Sequence, residues 1–173
     1  MGSDWLIPKE PPSDPVLEEL SRQYPGVDPS AVRAVVSLLR LGFELHGAAS
    51  QHFARYKLSQ ARFVVLMMLH TTPGGEMCCS DIADAVGVSR TTMTGLLDGL
   101  EREGLVRRVN YPDDRRRITI TLTANGRRLL DKMLPDHMER IAGVMANLSG
   151  EDRDNLLELL DKVRSGLPAL ARP

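Results

Sequence analysis

The stretch SDIADAVGVSRTTMTGLLDGLEREGLVRRVNYPDDRRRITITLT, residues 80–123, decides the fold. Ser80 stands as a helix N-cap, and Ile82, Ala83 and Val86 make one apolar stripe behind it. Gly87 supplies the left-handed turn residue, Val88 plugs the gap, and Ser89 caps a second helix. In that helix Met93, Leu96, Leu97 and Leu100 follow the i, i+3, i+4, i+7 spacing of a buried face. Its first turn and opposite face carry Arg90, Thr91, Thr92, Thr94 and Asp98. A short helix, a glycine turn and a helix led by small hydrogen-bonding residues suit a recognition helix, whose N-terminal end enters a major groove. An ordinary helical hairpin with a polar surface fits the same residues.

The next residues separate the two readings. After Gly104 the period changes from helical to alternating, through Val106, Arg108 and Asn110, then Ile118, Ile120 and Leu122, with Tyr111-Pro112-Asp113-Asp114 between them. That is the pattern of a β-hairpin. Residues 107–117 hold five arginines against two aspartates. Arg115, Arg116 and Arg117 at a hairpin tip repel one another and serve no core. They suit phosphates or a narrow minor groove, where negative potential rewards them. Asp114 is placed to pair with a neighbouring arginine and stabilise the tip.

Outward from this block the chain reads as helical. Residues 1–15 hold four prolines and read as a flexible arm, with the opening Met1-Gly2-Ser3 open to reading as a cloning remnant. A short amphipathic helix is predicted over Pro15–Gln23, and a long one from Asp28-Pro29 to about Lys57. The long helix is apolar on more than one face, which calls for a second partner such as another subunit. Ser59 caps a helix through Phe63–Leu69, stopped by Thr72-Pro73-Gly74-Gly75. Thr123 caps a further long helix, with a kink expected near Pro135, and Ser149 with Asp152 opens the last one along Leu156, Leu157, Leu160 and Val163. The predicted divisions are an arm over 1–15, N-terminal dimerisation helices over 16–58, a winged helix-turn-helix over 59–123 and C-terminal dimerisation helices over 124–173.

Composition agrees. The 173 residues are 42% hydrophobic but only 4% aromatic, a Leu, Val, Met and Ala mix that favours helices. The net charge of −1 hides an asymmetry, since residues 1–30 carry −4, residues 31–150 carry +4 and residues 151–173 carry −1. A phosphate backbone responds to the local patch, within a Debye length of about 8–10 Å. No apolar run reaches the roughly 18 residues of a membrane span, and the N-terminus lacks a secretory layout. A cytoplasmic protein is expected.

Two runs carry a resemblance to the MarR family of bacterial regulators. One is Ser80-Asp81-Ile82-Ala83 through Gly87-Val88-Ser89-Arg90-Thr91-Thr92-Met93-Thr94. The other is Leu100 to Arg108 followed by Asp113-Asp114-Arg115-Arg116-Arg117 and Leu122-Thr123. The likeness spans about residues 28–170. It implies a mostly α homodimer with a small β-hairpin wing, interlocked first and last helices, and a pseudo-palindromic duplex site near the bacterial nucleoid. It also implies transcriptional control, often repression, relieved by a small molecule or an oxidant. The family's wing arginine falls on Arg116 and its aspartate on Asp114. Such recognition helices carry basic residues where Gly95 and Gly99 stand, and each glycine costs a helix about 0.5–1 kcal/mol relative to alanine. DNA contact is therefore assigned to Ser89, Arg90, Thr91, Thr92 and Thr94 with the wing, and the glycines to close approach of DNA or of a neighbouring helix.

Leu20 to Asp28 looks like the extra helix of the urate-responsive branch, and Leu134-Pro135 fits that branch. Leu20 and Val64 stand where that branch has tryptophan and aspartate, so a hydrophobic or aromatic effector is expected instead of urate. His46, Arg62, Met67 and Met68 are candidate pocket residues, and each also suits a core or interface role. Cys78-Cys79 suits an oxidant-responsive pair or small residues in an apolar strand. His46, His52, His70 and His137 show no metal-ligand spacing, and neither a cofactor loop nor a catalytic constellation is evident. Two alternatives stay open: a winged helix that binds protein and not DNA, and a thiol-based regulator or enzyme working through Cys78 and Cys79.

Overall fold

A computed structural model of the chain describes residues 10, 12–26, 28–111 and 114–171, with backbone alone for Tyr111, Asp114 to Arg117 and Ala171. In chain order it has α1 (Asp14–Gln23), α2 (Pro29–Ala54), α3 (Gln60–Thr71), β1 (Glu76–Cys78), α4 (Cys79–Val86), α5 (Arg90–Arg102), β2 (Val106–Tyr111), β3 (Asp114–Leu122), α6 (Ala124–Val144) and α7 (Gly150–Gly166). The three strands form an antiparallel sheet in the order β1-β3-β2. The predicted class, mostly α with a small hairpin wing, is the observed one.

Local chemistry sets most boundaries. Asp28 accepts from the Ser30 N–H and Pro29 fills the first helical position of α2. The long helix stops at Ala54, short of Lys57, whose φ of 57° lies in the left-handed region. Ser59, Ser89 and Thr123 cap α3, α5 and α6 through their side-chain oxygens. Ser149 and Asp152 form a reciprocal capping box at α7. Pro135 lies inside α6, which spans Ala124–Val144 as one helix. Ser80 is not the cap of α4. Cys78 holds that position, and the Ser80 hydroxyl donates to Asp81 inside the first turn, at 3.1 Å. The shift arises because Glu76 to Cys78 are drawn into the sheet, with Met77 opposite Ile120.

One core lies under the helix-turn-helix. Val65, Leu66 and Leu69 of α3, Ile82 and Ala83 of α4, Met93, Leu97 and Leu100 of α5, and Ile120 and Leu122 of β3 close on Leu130 and Met133 of α6. Each of these Val, Leu, Ile and Met side chains contributes about 1.5–3 kcal/mol when fully buried. Leu17 of α1 is buried as well, and Arg33 of α2 pairs with Asp14 at the start of α1. Elsewhere the long helices stay bare. Val35, Leu39 and Phe43 of α2 and Met138, Ile141 and Val144 of α6 are exposed, and α7 buries no residue among those described.

Candidate nucleic-acid interface

The turn between α4 and α5 is built from Gly87, whose φ of 74° is left-handed and whose N–H reaches the Ala83 carbonyl at 2.9 Å. The Val88 N–H bonds the same carbonyl at 3.1 Å, fixing the angle at which α5 leaves. Ser89 Oγ accepts from the Thr92 N–H at 3.1 Å and lies 2.8 Å from the Thr92 hydroxyl. The Thr94 hydroxyl donates to the Arg90 carbonyl at 2.9 Å. All five recognition-helix candidates, Ser89, Arg90, Thr91, Thr92 and Thr94, are exposed on one end of α5. Three of them are engaged in ordering that end of the helix. The side chains of Arg90 and Thr91 have no hydrogen-bond or ion-pair partner among the described residues. The face turned inward is the predicted one, with Met93, Leu97 and Leu100 buried and Leu96 half-buried.

The two helix glycines have different surroundings. Gly95 is exposed, and a Cβ built there meets nothing within 4 Å. Gly99 is buried under Arg62 of α3, whose Nη2 would lie 2.5 Å from such a Cβ. Arg62 continues across the groove to Glu103, with Nη1 at 2.6 Å from Oε1. The close approach at Gly99 is thus to a neighbouring helix.

The wing is the β2–β3 hairpin, paired from Val106 opposite Leu122 to Asn110 opposite Ile118, with an irregularity before Tyr111 opposite Asp114. The Asp114, Arg115, Arg116 and Arg117 side chains lie outside the described residues; their backbone belongs to β3. Alternation along β2 divides the other two arginines. Arg107 is exposed and holds no ion pair among the described residues. Arg108 turns to the protein, half-buried, and its guanidinium donates to Asp98 at 2.5 Å and to Glu101. These carboxylates hold its pKa above the ordinary value, the Asp98 hydrogen bond most strongly.

A second constellation lies between α2 and α6. A cavity of about 450 Å³ is lined by Leu45, Ala49, His52 and Phe53 on one side and by His137, Arg140, Ile141 and Val144 on the other. His137 Nδ1 lies 3.2 Å from His52 Nε2, and the two rings stack at 5.1 Å. His52 Nδ1 is buried without a hydrogen bond among the described residues; Asp136 Oδ2 is 3.7 Å away. Asp136 accepts from Arg140 at 2.8 Å and from the Tyr56 hydroxyl at 2.9 Å. The Arg140 hydrogen bond, then that from Tyr56, lowers the Asp136 pKa, and the bond to Asp136 raises that of Tyr56. Burial, and then the charge of His52, lowers the pKa of His137.

None of the four predicted pocket residues lines this cavity. His46 is exposed on α2, Arg62 spans to Glu103, and Met67 and Met68 pack against the core. The sequence did hold a signal for the residues that do line it. Leu45, Ala49 and His52 share one face of α2, and His137, Arg140, Ile141 and Val144 follow i, i+3, i+4, i+7 spacing on α6. Their meeting joins positions 85 apart, which no local pattern displays. Cys78 and Cys79 are half-buried free thiols, with Cys79 Sγ 4.0 Å from the Thr94 hydroxyl. Among the described residues no His, Cys, Asp and Glu cluster is placed to hold a metal.

Helix, glycine turn, capped recognition helix and two-stranded wing define a winged helix-turn-helix transcriptional regulator. The MarR family model matches residues 58–118. The chain is 32% identical to the HTH-type transcriptional repressor YetL of Bacillus subtilis, over 83% of this chain and 86% of that protein. BpsR of Bordetella bronchiseptica, whose DNA binding is regulated by 6-hydroxynicotinic acid, is similar in structure. It has a TM-score of 0.60 and 28% identity, over 76% of this chain and 98% of that one. AbsC of Streptomyces coelicolor shares the fold with a TM-score of 0.75 at 23% identity, over 84% and 99% of the two chains. The chain belongs to the MarR family.

Proposed function

We propose that this regulator grips duplex DNA as a homodimer, with Arg90, Thr91 and the bare backbone at Gly95 facing the major groove. Ser89, Thr92 and Thr94 order the helix start that carries them and offer their remaining hydroxyl capacity to phosphates and base edges. Arg115, Arg116 and Arg117 supply minor-groove or phosphate contacts from the wing, and Asp114 holds its tip. The observation that carries this reading is the exposed, unpaired end of α5 beside an arginine-dense hairpin. A protein-binding winged helix has no need to concentrate arginines there. The exposed apolar positions on α2, α6 and α7 fit a two-fold partner, which sets recognition helices about 34–36 Å apart, one turn of duplex. On this reading residues 16–58 and 124–173 are the dimerisation segments, 59–123 reads DNA, 1–15 is an arm, and the protein works in the cytoplasm on the nucleoid. Repression is supported by the likeness to YetL.

The α2–α6 cavity is the effector site on this reading. At about 450 Å³ it falls within the roughly 300–1,000 Å³ of small-molecule sites. Its apolar walls with His52, His137 and Arg140 suit an aromatic acid, and the likeness to BpsR supports that class. The deciding experiment is fluorescence anisotropy with a labelled duplex from the region upstream of its own gene, over a series of salt concentrations. Binding that weakens steeply with salt and is released by an aromatic acid is expected. Absence of salt-sensitive binding would remove the DNA-reading function.

A further inference from the structure

The C-terminal end of the recognition helix and its cap carry three carboxylates, Asp98, Glu101 and Glu103, against one arginine, Arg102. Beside a polyanion that pattern is repulsive. Two arginines from other elements meet all three carboxylates. Arg108 of β2 spreads its guanidinium over Asp98 and Glu101, and its own backbone N–H donates to Glu101 Oε1 at 3.0 Å. Arg62 of α3 crosses Gly99, where any side chain would stand in its way, and reaches Glu103. A buried glycine inside a helix is destabilising on its own account. Here it opens the slot through which the second arginine passes.

We propose that Arg62 and Arg108 are positioning residues, a two-armed clamp that sets the recognition helix against α3 and the wing and neutralises its carboxylates. Arg108, although one of the wing's five arginines, acts on protein and not on DNA. The planar guanidinium fork is what allows one side chain to hold two carboxylates a helical turn apart, which an ammonium does less well. Recognition sites lose much of their effect when their support is loose by about 1 Å. The clamp therefore acts on affinity through the exposed residues ahead of it, Arg90, Thr91 and Gly95. This inference rests on the DNA-reading function proposed above.

The test is anisotropy of the same labelled duplex with full-length variants, each checked by thermal melting. Failure of the wild type to bind in a salt-dependent way sinks the DNA-reading function itself. With the wild type bound, Asp98→Asn discriminates directly. Removing an acidic charge next to DNA tightens binding if only electrostatics matter, whereas the clamp requires a loss of roughly fivefold or more. Arg108→Gln is expected to weaken binding with the slope of log affinity against log salt unchanged, and Arg108→Lys to recover only part of the loss. Arg62→Lys is expected to weaken binding in the same manner. A slope reduced by about 0.9 in Arg108→Gln, with Arg108→Lys close to wild type, would identify a phosphate contact and overturn the clamp. So would unchanged or tighter binding by Asp98→Asn, an exposed position whose substitution does not threaten the core.

Discussion

The guanidinium of Arg62 occupies the space that a side chain at position 99 would need, 2.5 Å from where its Cβ would fall. Gly99 and Arg62 are thus one device made from two helices. Gly95, four residues earlier on α5, has no such neighbour. The two glycines therefore respond differently to the same substitution.

Gly95→Ala should stabilise the folded chain by about 0.5–1 kcal/mol, since alanine favours the helix and the site is open. Gly99→Ala gains the same helix preference but displaces Arg62 from Glu103. Its net change in stability should stay within about 1 kcal/mol of zero, because the obstructing group is the end of a flexible side chain on a partly exposed ion pair. Urea denaturation of the two variants measures the difference. A stabilised Gly99→Ala with unchanged DNA affinity would break the link between the glycine and the arginine.

Gly126 is the contrasting case. A Cβ there would overlap the backbone carbonyl of Leu105 and press on Leu122 Cδ2 at 3.1 Å. Backbone cannot swing aside as Arg62 can. Gly126→Ala should destabilise by about 1–3 kcal/mol, the usual range for overpacking, and lower the midpoint of thermal unfolding. A neutral result would show that α6 tolerates lifting away from the wing's base.

Arg116→Ala tests the wing. It should weaken duplex binding and reduce the log–log salt slope by about 0.9 for each phosphate that the arginine neutralises. Arg108→Gln should leave that slope unchanged. Identical slopes for wild type, Arg116→Ala and Arg108→Gln would remove the wing tip from the mechanism.

His137 provides a pH signature. Its pKa is lowered from the ordinary 6.5 by burial first and by the charge of His52 second. The unfolded chain therefore binds this proton more readily than the folded one. The stabilising contribution is complete above about pH 6.5 and is lost as pH falls through the unfolded value toward the lower folded one. His137→Gln should flatten the fall in denaturation midpoint between about pH 7 and pH 5. Asp136, lowered chiefly by its Arg140 hydrogen bond, adds its own loss only below about pH 4. An undiminished fall in the variant would assign the acid sensitivity to other groups.

By itself the sequence determined the helices, the helix-turn-helix and the existence of the hairpin. These depend on neighbours three or four residues apart in helices and two apart in strands, and on caps such as Ser89, Thr123 and Ser149, all of which a linear pattern displays. It also identified the buried side of α5, because that face is written in the spacing of Met93, Leu97 and Leu100. Tertiary structure alone decided what lies across the gaps between elements. It paired Arg62 with Glu103, turned Arg108 inward while Arg107 stayed out, drew Glu76 to Cys78 into the sheet so that the cap moved from Ser80 to Cys78, and brought His52 to His137. Long polar side chains are decided by whichever partner the packed elements bring within about 3 Å, and that distance is fixed only when the core has closed.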